Sequence, residues 1–143
     1  MALDPVNVSV SPARRSPRTV ILAVCVICAF LVTHRPPPDT PSPPLFNDKL
    51  LHFVGFAVLG MLAVWRQGEW SRTISWRALS IWYVGLASYA AMDEATQPWV
   101  GRSCEFLDWL ADGAGGMVGM AMAWVCGRMT LLRESGGPGS AGE

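Results

Sequence analysis

The sequence predicts an all-α polytopic membrane protein, a compact bundle of four transmembrane helices. Three observations predict it: four separate apolar segments, cationic residues concentrated on alternate connections, and carboxylates gathered at the remaining segment ends. The 143-residue chain amounts to one domain, apolar at 51% of positions and without net charge, so its balance gives no reason to expect a nucleic-acid partner.

The first apolar segment, residues 19–33, is shorter than the roughly 20 residues a span needs and must borrow its flanks. Arginines ahead of an apolar core also fit a cleaved secretory signal, but the small-x-small cleavage pattern is poor, and retention as a helix is the expectation. Residues 1–18 are polar and are expected to form a disordered tail. Residues 34–45 contain Pro36, Pro37, Pro38, Pro41, Pro43 and Pro44, too many for a helix, and should run as an extended linker.

The second apolar segment spans 50–65 and the third 78–92, the latter leading to Pro98-Trp99-Val100-Gly101, a turn signal that ends its helix. The fourth, 109–129, is the longest, and its small-residue face, including Gly115-x-x-x-Gly119, predicts close approach to a neighbouring helix. Residues 130–143, Gly/Ser-rich toward the end, are expected to be a disordered tail. Cys25, Cys28 and Cys126 lie in apolar runs, where thiols act as small hydrophobes; Cys104 alone is expected to meet water.

Arg14, Arg15, Arg18, Arg66, Arg72, Arg77, Arg128 and Arg133 flank one side of the predicted spans, against Arg35, Lys49 and Arg102 on the other. Eight against three places both termini in the cytoplasm of a multi-pass protein. Trp65, Trp70 and Trp76 would then mark the inner interface, and Trp99 and Trp109 the outer one.

This topology brings the costly polar residues to one face. Asp48, Lys49 and His52 open the second span, Asp93, Glu94 and Gln97 close the third, and Arg102, Glu105, Asp108 and Asp112 lead into the fourth. Ionisable groups beside lipid must be paired, hydrated or turned toward a cavity, so this constellation is the candidate site. Asp48 is also a plausible helix cap after Asn47, and it stands four residues before His52, whose imidazole an aspartate could orient for proton transfer near neutral pH. Glu94 and Gln97 share a face, and Glu105, Asp108 and Asp112 form a like-charged stripe that needs cations, protons or a metal to persist.

The pattern Asp48-Lys49-Leu50-Leu51-His52-Phe53-Val54-Gly55-Phe56, followed at a distance by Glu94, Gln97, Arg102, Asp108, Gly115 and Gly119, resembles the VanZ-like membrane proteins. The resemblance spans about residues 46–125 and implies a core, 46–129, with three transmembrane helices. Where many members carry Asn four residues after the second-element Asp, this chain has Asp112, which adds a charge. The resemblance implies a multi-span protein of the bacterial cytoplasmic membrane, with a relative associated with resistance to the glycopeptide teicoplanin; it supplies neither a reaction nor a cofactor.

Two functions fit these residues. In one, an outer-face site binds or processes a lipid-linked or phosphate-bearing envelope molecule, with His52, Glu94 and Asp108 as proton-moving catalytic residues and Asp48, Lys49, Gln97, Arg102 and Asp112 as substrate-binding residues. In the other, a non-enzymatic membrane module uses the charged network to fix helix packing. Whether the chain is an enzyme stays open, as do its cofactor and protein partners beyond the lipid bilayer. No metal ligand is assigned, because no recognised metal-binding spacing is present. Ion conduction is disfavoured by the scarcity of polar residues in the inner halves of the spans.

Overall fold

The computed structural model describes residues 16–36, 48–68 and 74–135; among them four α-helices and one 3-10 turn make up 88%, and there is no strand. The helices are α1 (Pro17–Thr33), α2 (Asp48–Gln67), α3 (Trp76–Thr96) and α4 (Phe106–Ser135), with the 3-10 turn at Gln97–Val100. Two of them, α2 and α4, are long and apolar enough to cross a membrane; α1 is a shorter apolar helix.

Each boundary has a local cause. Pro17 occupies the first turn of α1, where its missing N–H costs nothing, so residues 17 and 18, expected in the tail, are helical. Ser75 caps α3 by accepting a hydrogen bond from the Ala78 amide. Pro98 does not end the chain's winding at once: the turn tightens to 3-10 through Val100, and Gly101 closes it at φ 81°, a left-handed conformation suited to glycine. The α4 helix continues to Ser135, so residues 130–135, also expected in a tail, are helical. Thr130, Leu131 and Leu132 have ordinary helix propensity, so nothing in the local sequence ends the helix at 129. Most of both expected tails, the Pro-rich linker from Pro37 onward, Asn47, Trp70 and Arg72 lie outside the described residues.

The contacts define an alternating arrangement. Arg18 at the start of α1 reaches the Trp65 carbonyl at the end of α2, while Thr33 and His34 at the other end of α1 meet Asp93 and Thr96 of α3. Lys49 and His52 of α2 meet Asp108 and Asp112 of α4, so α2 and α4 run parallel, as do α1 and α3. The α2–α4 pair is the most extensive packing in the molecule. Its two faces have matching spacing: His52, Phe56, Leu59, Gly60, Ala63 and Val64 on one helix, Asp108, Asp112, Gly115, Gly116, Gly119 and Met120 on the other, all buried.

Glycine sets the separation. A Cβ on Gly115 would fall on the Phe53 carbonyl, one on Gly119 on the Ala57 carbonyl, and one on Gly60 on the Gly116 carbonyl. The small face expected on α4 therefore packs directly on the α2 backbone.

Around this seam, Leu59, Val64, Leu86 and Met120 form the apolar core, joined by Leu22, Cys25, Val26 and Ala29 of α1. The outside is apolar as well: Ile81 is 64% exposed and Val84 63%, whereas Leu59 is 1% exposed. Most of the buried charged and amide side chains instead gather at one end, Asp93, Glu94, Gln97, Asp108 and Asp112, while Arg66 is buried at the other. A soluble domain this small would bury its large aliphatic side chains first, and this distribution suits a lipid surrounding.

Candidate functional site

The buried polar end is assembled from all four helices. On α2, the helical stripe that carries Phe56 and Leu59 into the core begins with His52, which is 2% exposed. Close α2–α4 approach puts Asp112, 0% exposed, opposite it, with His52 Nδ1 and Asp112 Oδ1 3.0 Å apart. Glu94 of α3 enters from the side, its Oε1 3.7 Å from the same imidazole nitrogen.

Glu94 is held from two directions. The Gln97 side-chain amide donates to its Oε1 at 2.9 Å, and the Glu105 backbone amide donates to its Oε2 at 3.0 Å. The 3-10 turn makes this possible, because it folds Gln97 back beneath the last turn of α3, where its Nε2 also lies 3.3 Å from Asp93 Oδ2. On the far side of Asp93, the Thr33 hydroxyl is 2.9 Å from Oδ1 and the His34 imidazole 3.6 Å from it. His34 Nε2 also approaches the Thr96 hydroxyl at 2.8 Å.

Two cations rim the cluster, each engaged. Lys49 donates to Asp108 Oδ1 and Glu105 Oε2, both at 2.8 Å, and Arg102 donates to Asp48. The Lys49 hydrogen bond, reinforced by its charge, holds the Glu105 carboxyl below the ordinary carboxylate range. Asp108 is buried beneath Lys49, whereas Asp48 and Glu105 remain exposed.

All eight residues singled out in the sequence, Asp48, Lys49, His52, Glu94, Gln97, Arg102, Asp108 and Asp112, thus lie in this one polar region. Their pairing differs from the sequence reading in one respect. The imidazole of His52 hydrogen-bonds Asp112 rather than Asp48, because Asp48 turns outward to Arg102 while the glycine seam carries Asp112 inward. Glu105 precedes α4 and is half-exposed, so the expected stripe of three carboxylates divides into one rim residue and two buried ones.

The sequence reading assigned no role to Thr33, His34 or Asp93. Asp93 lies in the polar run that closes the third segment, and His34, one of only two histidines, directly follows an apolar segment, which is the signal the sequence offers. Trp109, expected as an interface marker, donates its indole N–H to the Ala87 carbonyl at 3.3 Å.

Metal-ligand atoms also converge here. One donor atom each from His52, Asp93 and Glu94 lie within 4.8 Å of one another, as do one each from Asp48, His52 and Asp108. Within the cluster, His52 Nε2 and Asp112 Oδ2 are buried without a hydrogen-bond partner among the described residues. The other end of the molecule has a different character: an open groove there is lined by apolar side chains such as Ile21, Met61, Trp65 and Met122, with Arg18 and Arg128 as charged lining residues among those described.

A family model described as VanZ/LLP1 matches residues 31–127, a stretch that contains the whole polar cluster. No curated protein and no solved structure matches the chain significantly.

Proposed function

The chain belongs to the VanZ/LLP1 family, and from that membership we propose that it is a four-span protein of the bacterial cytoplasmic membrane whose polar cluster binds or processes an anionic envelope molecule, lipid-linked or phosphate-bearing. The observation that carries this reading is the pair of buried atoms without a hydrogen-bond partner among the described residues, His52 Nε2 and Asp112 Oδ2, inside a cluster otherwise dense with hydrogen bonds. A buried polar atom left without a partner costs about 1–3 kcal/mol, and a bound ligand that meets these two atoms offsets that cost.

In this reading the termini are cytoplasmic and the cluster lies at the outer face. Arg18, Arg66, Arg77 and Arg128 at the opposite end support that orientation. Lys49 and Arg102 stand at the rim, where an incoming phosphate or carboxylate would compete with Glu105 and Asp48 for their donors. His52, with Glu94 or Asp108, would move protons deeper in the site. Decreased glycopeptide susceptibility, as the family resemblance suggests, is the phenotype proposed for such an activity.

A second reading, a non-enzymatic module whose charges fix helix packing, is favoured by the engagement of both rim cations with carboxylates. Lipid and cell-wall precursor profiling of a deletion strain separates the two. Accumulation or loss of one lipid-linked species, reversed by the wild-type gene, supports the ligand reading; an unchanged profile supports the packing module.

A further inference from the structure

We infer that His52, Asp93 and Glu94, with Asp112 beside them, form a binding site for one divalent transition-metal ion. The inference goes beyond the envelope ligand and does not depend on it.

Charge is the starting point. Asp108 and Glu105 share Lys49, and Asp48 has Arg102, but the ion-pair partners of Asp93, Glu94 and Asp112 among the described residues are imidazoles alone: His34 for the first, His52 for the other two. Three buried carboxylates facing two imidazoles stay net negative even with both rings protonated. A dipositive ion offsets that excess where no further basic side chain does.

Geometry agrees. His52 Nδ1 is 3.0 Å from Asp112 Oδ1 and 3.7 Å from Glu94 Oε1. Ligands held about 2.0–2.1 Å from a tetrahedral metal are about 3.3 Å apart, a few tenths of an ångström less than the His52–Glu94 separation, and one donor atom each of His52, Asp93 and Glu94 lie within 4.8 Å of one another. Independently of the acidic cluster's charge, His52 is 2% and Asp112 0% exposed, and His52 Nε2 and Asp112 Oδ2 have no hydrogen-bond partner among the described residues, so this buried pair has capacity left for a ligand. The carboxylates are also braced as metal ligands are: Gln97 and the Glu105 amide hold Glu94, and Thr33 and Gln97 hold Asp93. The outer group of Asp48, His52 and Asp108 is the weaker alternative, since Arg102 and Lys49 already neutralise its carboxylates.

One imidazole with carboxylate oxygens and no thiolate selects Zn²⁺ or Mn²⁺ over softer ions. The test is metal content of the full-length, detergent-purified protein, stripped with chelator, equilibrated with Zn²⁺ or Mn²⁺ alone and desalted. About one ion per chain is expected for the wild type, falling at least tenfold in His52→Gln and Glu94→Gln, with Gln97→Ala weakening affinity about 10–100-fold. Asp48→Asn should keep the full complement. X-ray absorption of the zinc-loaded wild type should show nitrogen and oxygen ligands with one imidazole, a readout that needs no variant to fold. Failure of the wild type to retain either ion overturns the site, as does sulfur in the first shell, or loss of metal in Asp48→Asn but not Glu94→Gln. No lipid ligand is present in these measurements, so failure of the metal site leaves the envelope-ligand reading to its own test, the lipid profile, whereas a confirmed ion would satisfy one or both of the buried atoms on which that reading rests.

Discussion

His52 of α2 and Asp112 of α4 stand 60 residues apart in the chain and 3.0 Å apart in space, both shut away from solvent. Removing one partner of a buried charge-assisted pair strands the other, at about 3–5 kcal/mol, whereas replacing both by apolar groups of similar size costs less. Thus His52→Leu should destabilise strongly, and His52→Leu with Asp112→Leu should destabilise by less than the sum of the single substitutions. A coupling of about 0.5–3 kcal/mol from a double-mutant cycle in detergent unfolding is expected; strict additivity would show that the two side chains do not interact.

The glycine seam gives a sharper packing prediction. At Gly115, Gly119 and Gly60 an added Cβ meets backbone carbonyl carbon and oxygen, which cannot rotate aside. Alanine at any of them should cost about 1–3 kcal/mol by forcing α2 and α4 apart. At Gly55, Gly85 and Gly127 nothing lies within 4 Å of an added Cβ. Alanine there should be neutral or stabilising by about 0.5–1 kcal/mol, and unfolding midpoints of the six variants check the division.

Much of this site can be read from the sequence because charge beside lipid is conspicuous. Asp48, Lys49 and His52 at one segment boundary and Glu94 to Asp112 at another announce themselves by their cost, and alternation of the helices brings the two boundaries together. What the sequence does not convey is rotational phase. His52 has Asp48 one turn away on its own helix, yet its partner is Asp112, and only the way Gly115 and Gly119 seat on Phe53 and Ala57 decides which carboxylate arrives opposite the ring. Thr33 and His34 are hidden for a related reason: a proline-rich connection separates them from the rest, and the Thr33–Asp93 contact depends on how α1 leans on α3. Helix ends such as Pro17 and Ser135 are set by backbone and propensity rather than by hydropathy.

The rim predicts a pH response. Lys49 holds Glu105 below the ordinary carboxylate range, so the contribution of this pair to stability is full above the unfolded-chain value, about 4.3, and is lost as pH falls through the lower folded value. The gap in thermal midpoint between wild type and Glu105→Gln should therefore be constant near neutrality and close in acid. Lys49→Met should lower the midpoint further than Glu105→Gln at neutral pH, since it also strips buried Asp108 of its cation.

Orientation has a direct chemical test. Cys104 is exposed in the connection between the 3-10 turn and α4, on the polar end. A membrane-impermeant thiol reagent should label it in intact cells when Cys25, Cys28 and Cys126 have been replaced by alanine. Labelling only after the cytoplasm is opened would invert the proposed topology.

The central claim is that the His52–Glu94–Asp112 cluster handles an envelope ligand and does more than hold helices together. Complementation of the deletion strain with His52→Gln, Glu94→Gln and Asp112→Asn, each at membrane levels matched to wild type, measures this most directly. The account predicts that the variants, less stable but folded at the matched levels, lose the envelope lipid profile and any glycopeptide-susceptibility phenotype. Full complementation by all three variants at matched levels would contradict it.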